Sequence, residues 1–86
     1  MALMKWDLWV DYHRTDGDRL THTHVRNAEP GVELTPGEHV VVGSEEADPA
    51  VAEVVTIKPT GVVLVRVLSG PAEDHLHLVH RSGVQA

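Results

Sequence analysis

Hydrophobic and polar side chains alternate from residue 4 to residue 14, which predicts a β-strand with one buried face. One face of that strand carries Met4, Trp6, Leu8, Val10 and Tyr12. The other face carries Lys5, Asp7, Trp9, Asp11 and His13. Asp16–Gly17 is a strong turn signal, and the threonine-rich segment from Arg19 to Val25 predicts a returning strand. We therefore expect an N-terminal β-hairpin over residues 4–26.

The run from Val51 to Leu68 carries the clearest hairpin signal in the chain. It is rich in β-branched residues and is divided by the turn Lys58–Pro59–Thr60–Gly61. Proline presets φ for the first corner of such a turn, and Gly61 can adopt the positive φ that a following bulge requires. A further strand is predicted over residues 38–43. Residues 34–70 should therefore form a barrel-like core.

The central hairpin is predicted to be apolar on both faces. With Lys58 opposite Val62, the pairs on one face are Ile57–Val63, Val55–Val65 and Glu53–Val67. The reverse face, interrupted by Arg66, carries Val54, Val62, Leu64 and Leu68. A sheet that is wetted on one side should alternate instead, so something must cover this second face. The candidates are the N-terminal hairpin, a C-terminal helix or a second copy of the chain.

The end of the chain has two interpretations. Pro71, followed by the acidic pair Glu73 and Asp74, is typical of a helix start, and Gly83 is typical of a residue just past a helix end. The alternation His75–Leu76–His77–Leu78 fits a strand instead. We favour a short helix over residues 71–82.

The order of turn, strand, acidic loop, strand, tight turn and strand resembles the small barrels of the Src-homology, KOW and Tudor type. The resemblance covers residues 34–70 and is carried by the segments 34–42, 52–57 and 61–65. It implies a mainly β fold, a small barrel-like antiparallel sheet to which we add the N-terminal β-hairpin and the short C-terminal helix. Such barrels usually act as binding modules for peptides, RNA or other proteins. The basic and aromatic surfaces of the nucleic-acid-binding and methyl-lysine-binding members are missing here, so the resemblance implies protein binding.

Composition narrows the set of partners. The 86 residues make one domain, and a formal net charge of −6 at pH 7 would repel nucleic-acid backbones and anionic membranes. The chain has no cysteine, so neither disulfides nor thiolate zinc ligands are available. No apolar run is long enough to span a bilayer, and the N-terminus lacks the apolar region of a signal peptide. We expect a cytoplasmic protein that binds neither nucleic acid nor membranes.

Histidines offer a candidate metal site. His22 and His24 lie on a predicted strand, which places both imidazoles on one face, about 6.6 Å apart along the strand. Two histidines and a third ligand can hold zinc. The third ligand would be His13, His75, His77 or His80. The alternative is that these side chains are solvated polar residues, and a histidine-based divalent-metal-binding protein is our second hypothesis for function.

Catalytic signals are weak. The predicted N-terminal hairpin places Asp11 opposite His22, and such a pair can orient a general base. More often it is a surface ion pair worth less than about 1 kcal/mol. The chain contains no nucleophile elbow, phosphate loop or dinucleotide fingerprint. We expect a protein that is not an enzyme.

Three features favour a protein-binding surface. Trp9 lies on the polar face of the first strand, where it would anchor an interface unless the C-terminal helix covers it. The loop from Ser44 to Pro49 would be solvated or would dock a basic partner through Glu45, Glu46 and Asp48. The second apolar face would bind another copy of the chain. Our first hypothesis is a non-enzymatic protein-binding or accessory module whose partner is another protein or, in a homodimer, itself.

Overall fold

A computed structural model describes residues 6–79 as a curled, five-stranded mixed sheet that forms a half-barrel. In chain order the strands are β1 Leu8–Trp9, β2 Thr21–His24, β3 His39–Ser44, β4 Ala47–Ile57 and β5 Val62–Val67. The order across the sheet is β1-β3-β4-β5-β2, with β1 parallel to β3 and every other pair antiparallel. The mainly β prediction is confirmed, whereas the purely antiparallel sheet is corrected to a mixed one.

One side of the curled sheet holds the hydrophobic core. Alternate residues of β3, β4 and β5 point inward, and β-branched side chains dominate because they pack well on a pleated surface. The buried cluster consists of Leu8, Val10, Val40, Val42, Ala50, Ala52, Val54, Val63 and Val65. Each buried valine or leucine contributes about 1.5–3 kcal/mol relative to an exposed side chain.

The central hairpin confirms the predicted turn and the predicted register next to it, but not the register farther along the strands. Lys58 N donates to Val62 O at 2.8 Å, Gly61 N donates to Lys58 O at 2.8 Å, and Gly61 has φ +95°. Past the expected Ile57–Val63 pair, a bulge at Val55 shifts β4 by one residue. The next pairs are therefore Val54–Val65, Glu53–Arg66 and Ala52–Val67.

The predicted N-terminal hairpin over residues 4–26 does not form within the described part of the chain, which excludes Met4 and Lys5; one isolated bridge, Thr15–Thr21, spans the predicted turn. β1 is two residues long and pairs with β3, whereas β2 pairs with β5. Asp7, expected on a polar face, is buried and its Oδ2 accepts from Val41 N at 3.1 Å, which ties β1 to β3. β1 ends at Trp9, and two residues later Asp11 Oδ1 accepts from His13 N at 3.0 Å and caps the 3₁₀ turn Tyr12–Arg14, which turns the chain away from the sheet.

The two edge strands nevertheless come together where the sheet curls. Thr23 Oγ1 donates to Trp9 O at 2.8 Å, and Glu29 N donates to Asp7 O at 2.9 Å. A second 3₁₀ turn, Val25–Asn27, leads from β2 towards this contact. The side chains at the ends of β1 and β2 therefore share one region of the surface.

The predicted C-terminal helix over residues 71–82 is also wrong, and residues 80–82 lie outside the described part of the chain. Two 3₁₀ turns, Ala72–Asp74 and Leu76–Leu78, replace the helix, and residues 6–79 contain no α-helix. Pro71 provides no side-chain cap, and Val79 forms a parallel bridge to His39 of β3. The segment therefore pairs with the sheet through an extended residue and does not form α-helical turns.

This segment also contacts β4, the central strand of the sheet. Val41 and Val51 pair with each other and point away from the main core, yet both are buried. Ala72 is buried as well, and its turn contacts β4. We infer that the C-terminal turns cover Val41 and Val51.

Candidate functional site

Trp9 is the centre of the candidate site. It is half-buried in β1, opposite Gly43 of β3, so its side chain lies beside the turn that joins β3 to β4. Its indole Nε1–H donates to Glu45 Oε1 at 2.9 Å. This hydrogen bond holds the pKa of the Glu45 carboxyl below its ordinary value, because it stabilises the ionised form. The ring is thus held in one orientation at the surface.

The acidic loop is shorter than the sequence predicted. Ser44 pairs with Ala47, so Glu45 and Glu46 form the turn and β4 begins at Ala47. Glu46 N donates to Ser44 Oγ at 3.3 Å within the turn. Asp48 is exposed in β4. The structure therefore brings Trp9 and Glu45 into contact and leaves Asp48 out of that contact.

A groove of about 490 Å³ lies between β1 and this turn. We call it the acidic groove. The residues that line it include Trp9, Asp11, Tyr12, His13, Glu45 and Glu46. The Tyr12 hydroxyl oxygen is buried and has no hydrogen-bond partner among the described residues. Burial also raises the pKa of Tyr12. The groove thus combines aromatic side chains with three carboxylates, a lining suited to a cationic ligand group.

A second groove, of about 350 Å³, lies between Trp9 and β2. We call it the cationic groove. The residues that line it include Trp9, Asp11, Arg14, His22, His24, Arg26 and Asn27. Arg14 and Arg26 belong to the two 3₁₀ turns that flank β2 in the chain. Sequence reasoning missed both arginines, because they lie 12 positions apart in no common periodic pattern.

His22 pairs with a different carboxylate from the predicted one. Its Nε2 lies 2.8 Å from Asp16 Oδ2, whereas Asp11 caps a 3₁₀ turn. The hydrogen bond to His22 is the largest of the interactions that lower the pKa of Asp16. Backbone N–H groups of Leu20 and Asp18 contribute to the same shift. The predicted Asp11–His22 pair fails because the N-terminal hairpin does not form.

His24 is held by its own turn. Its Nδ1 accepts from Arg26 N at 3.2 Å, so the proton of the neutral ring is on Nε2. The ring lies directly against Gly61, where a Cβ would come within 2.6 Å of Cε1 and 2.7 Å of Nε2. His24 could therefore bind a metal only through Nε2.

Within residues 6–79, no cluster of three or more histidine, aspartate or glutamate side chains has metal-binding geometry. The described residues therefore offer no third ligand for the predicted zinc site. His80, one of the candidate third ligands, lies outside the described residues. Zinc binding by His22 and His24 stays a prediction.

The second apolar face is smaller than the sequence predicted. Val54 is fully buried in the core, because the bulge at Val55 places it opposite Val65. The remaining members, Val62, Leu64 and Leu68, are half-buried. Val62 pairs with His24 and Leu64 pairs with His22, so this apolar stripe borders the histidines.

No protein-family model, curated protein or solved structure matches this chain. Within residues 6–79, no helix is long and apolar enough to cross a membrane.

Proposed function

We propose that the protein is a non-enzymatic protein-binding module that accepts a basic, extended segment of a partner in the acidic groove. The observation that carries this proposal is the contact between Trp9 and Glu45 at the mouth of that groove. An aromatic ring held in place costs little entropy on binding, and tryptophan is the residue type most often found at interface hot spots.

Charge selects the partner. Asp11, Glu45 and Glu46 line the groove, and the whole chain carries a formal charge of −6 at pH 7. A lysine or arginine side chain would meet carboxylates at the rim and the Trp9 ring beside them, which allows a cation–π contact. An acidic segment would be repelled by the same surface.

The test is a binding measurement with two labelled nonapeptides, one with alternating arginine and serine and one with glutamate in place of arginine. The basic peptide should bind and the acidic one should not, and the binding should weaken as salt rises. The double variant Glu45→Gln/Glu46→Gln should weaken binding by about threefold to tenfold, as expected for partly exposed charge pairs. The glutamine that replaces Glu45 keeps an oxygen that accepts from the indole, so the ring position is retained.

The matched control is Glu33→Gln/Glu73→Gln, which removes the same charge from positions outside the groove. The control should bind like the unmodified protein. An equal loss of affinity for the basic peptide in both variants would mean that net charge alone explains the effect. An absence of saturable binding of the basic peptide would refute the proposal.

A further inference from the structure

The cationic groove is a local exception in an acidic protein. It gathers the guanidinium groups of Arg14 and Arg26, beside the imidazoles of His22 and His24, around one cavity with one carboxylate, Asp11, in its lining. The chain as a whole carries a formal charge of −6. Both arginines are exposed, and within residues 6–79 neither guanidinium forms an ion pair. Their charge is therefore available to a ligand.

The groove is also rich in hydrogen-bond donors. His24 Nδ1 accepts from Arg26 N, so its Nε2 carries a proton whenever that bond is made. Asn27 Nδ2 donates one hydrogen to Thr23 Oγ1 at 3.0 Å and has a second to offer. Asp11, which also lines the acidic groove, is the carboxylate in this lining, and its single negative charge is opposed here by the two guanidinium groups.

Trp9 adds an aromatic wall to this set of donors. A volume of about 350 Å³ lies within the range of pockets that take small organic ligands. Guanidinium groups match phosphate oxygens in geometry and charge, and an aromatic ring packs against planar organic groups.

We propose that the cationic groove binds a small phosphorylated molecule, with its phosphate held by Arg14, Arg26 and His24 and its organic part packed against Trp9. This site shares Trp9 and Asp11 with the acidic groove but takes a ligand of the opposite charge. It adds a small-molecule ligand to the proposed protein-binding role.

The probes are adenosine monophosphate, inorganic phosphate and adenosine, titrated into ¹⁵N-labelled protein and followed at the Trp9 indole N–H and the Arg26 amide. Adenosine monophosphate should give saturable shifts at both signals, inorganic phosphate should bind more weakly, and adenosine should give no saturable shift. Equal binding of adenosine and its monophosphate would overturn the proposal, because the phosphate would then contribute nothing.

The variant Arg14→Gln/Arg26→Gln should weaken the binding of adenosine monophosphate by about tenfold or more, because it removes two charge-assisted donors. The matched control Lys58→Gln/Arg66→Gln removes the same charge from exposed positions outside the groove and should retain the binding. Circular dichroism checks the fold of each protein, and Arg26→Gln alone serves if the double variant does not fold. No saturable shift with either phosphate compound, or equal losses in variant and control, would overturn the proposal.

The charged residues that the two double variants replace are different, so each ligand can be tested without removing the charges assigned to the other. Glu45→Gln/Glu46→Gln should lose the basic peptide and still bind adenosine monophosphate, whereas Arg14→Gln/Arg26→Gln should show the reverse. Loss of both ligands in a folded Glu45→Gln/Glu46→Gln protein would contradict the assignment of the two ligands to different charged residues.

Discussion

The contact between Trp9 and Glu45 depends on a pairing that no local pattern encodes. The sequence singles out each residue, the tryptophan as an interface anchor and the glutamate as part of an acidic loop. They lie 36 positions apart, and the parallel pairing of β1 with β3 brings them within hydrogen-bond distance. A parallel contact between distant segments leaves no periodic signal, so the residues could be predicted but their contact could not.

At the residue scale, Trp9→Phe should raise the pKa of the Glu45 carboxyl, because the indole N–H that stabilises the carboxylate is removed. The pKa of Glu45 in the folded protein lies below its ordinary value of 4.5. The hydrogen bond therefore stabilises the fold above that pH, and its contribution is lost as pH falls through the lowered pKa. Carboxyl ¹³C chemical shifts measured against pH report the change directly.

The control for this titration is Trp6→Phe, which changes the other tryptophan and leaves the donor to Glu45 in place. Glu45 should titrate in this variant as it does in the unmodified protein. An unchanged titration of Glu45 in Trp9→Phe would mean that the indole does not donate to it in solution.

At the element scale, the elements with a strong local sequence signal were predicted correctly, whereas those with a weak signal were not. The Lys58–Gly61 turn and a strand near residues 38–43 are present as expected, because proline and glycine restrict the backbone directly. The bulge at Val55 could not be predicted, since a run of valines fits either register equally well. The N-terminal hairpin failed because Asp7 and Asp11 use their carboxylates on the backbone. A polar/apolar pattern treats such residues merely as exposed.

Gly61→Ala should destabilise the protein by about 1–3 kcal/mol, because alanine is strained at positive φ and its Cβ would meet the His24 ring. The glycine has φ +95°, and the Cβ would lie 2.6 Å from His24 Cε1. Urea unfolding, followed by tryptophan fluorescence, measures the change in the free energy of unfolding.

Gly17→Ala is the matched control, because Gly17 does not have positive φ and a Cβ there would meet nothing within 4 Å. We expect its stability to stay close to that of the unmodified protein. Removal of the ring in Gly61→Ala/His24→Ala should recover part of the lost stability. Equal stabilities of Gly61→Ala and Gly17→Ala would contradict the contact between Gly61 and His24.

At the scale of the whole molecule, the half-barrel agrees with a small barrel-like fold, and its curl decides where the candidate sites lie. β1 and β2 are far apart in the order of the sheet, yet Thr23 bonds to Trp9 across its open edges. Trp9 therefore lines both the acidic and the cationic groove. Composition could predict the overall negative charge. The placement of Glu45 and Glu46 in one groove beside Trp9, and of Arg14 and Arg26 in the other, follows from the curl of the sheet.

The remaining apolar stripe leads to a prediction about assembly. Val62 and Leu64 of β5 and Leu68, which follows the strand, are half-buried. Arg66 interrupts this stripe, and its Nη1 lies 3.3 Å from Glu53 Oε1. We predict that two copies of the chain associate through this stripe, because pairing would remove its apolar surface from water and place like surfaces against each other. Light scattering coupled to size exclusion should then report a dimer of the 9.4 kDa chain.

Leu64→Glu should shift this dimer towards monomer, because it would bring two carboxylates into an apolar contact. Val25→Glu is the matched control, since Val25 is a large hydrophobic residue that is 40% exposed and lies outside the stripe. The control should remain dimeric, and circular dichroism separates dissociation from unfolding in both proteins. A monomer at high protein concentration in the unmodified chain would contradict the prediction, because the stripe would then be stable in contact with water.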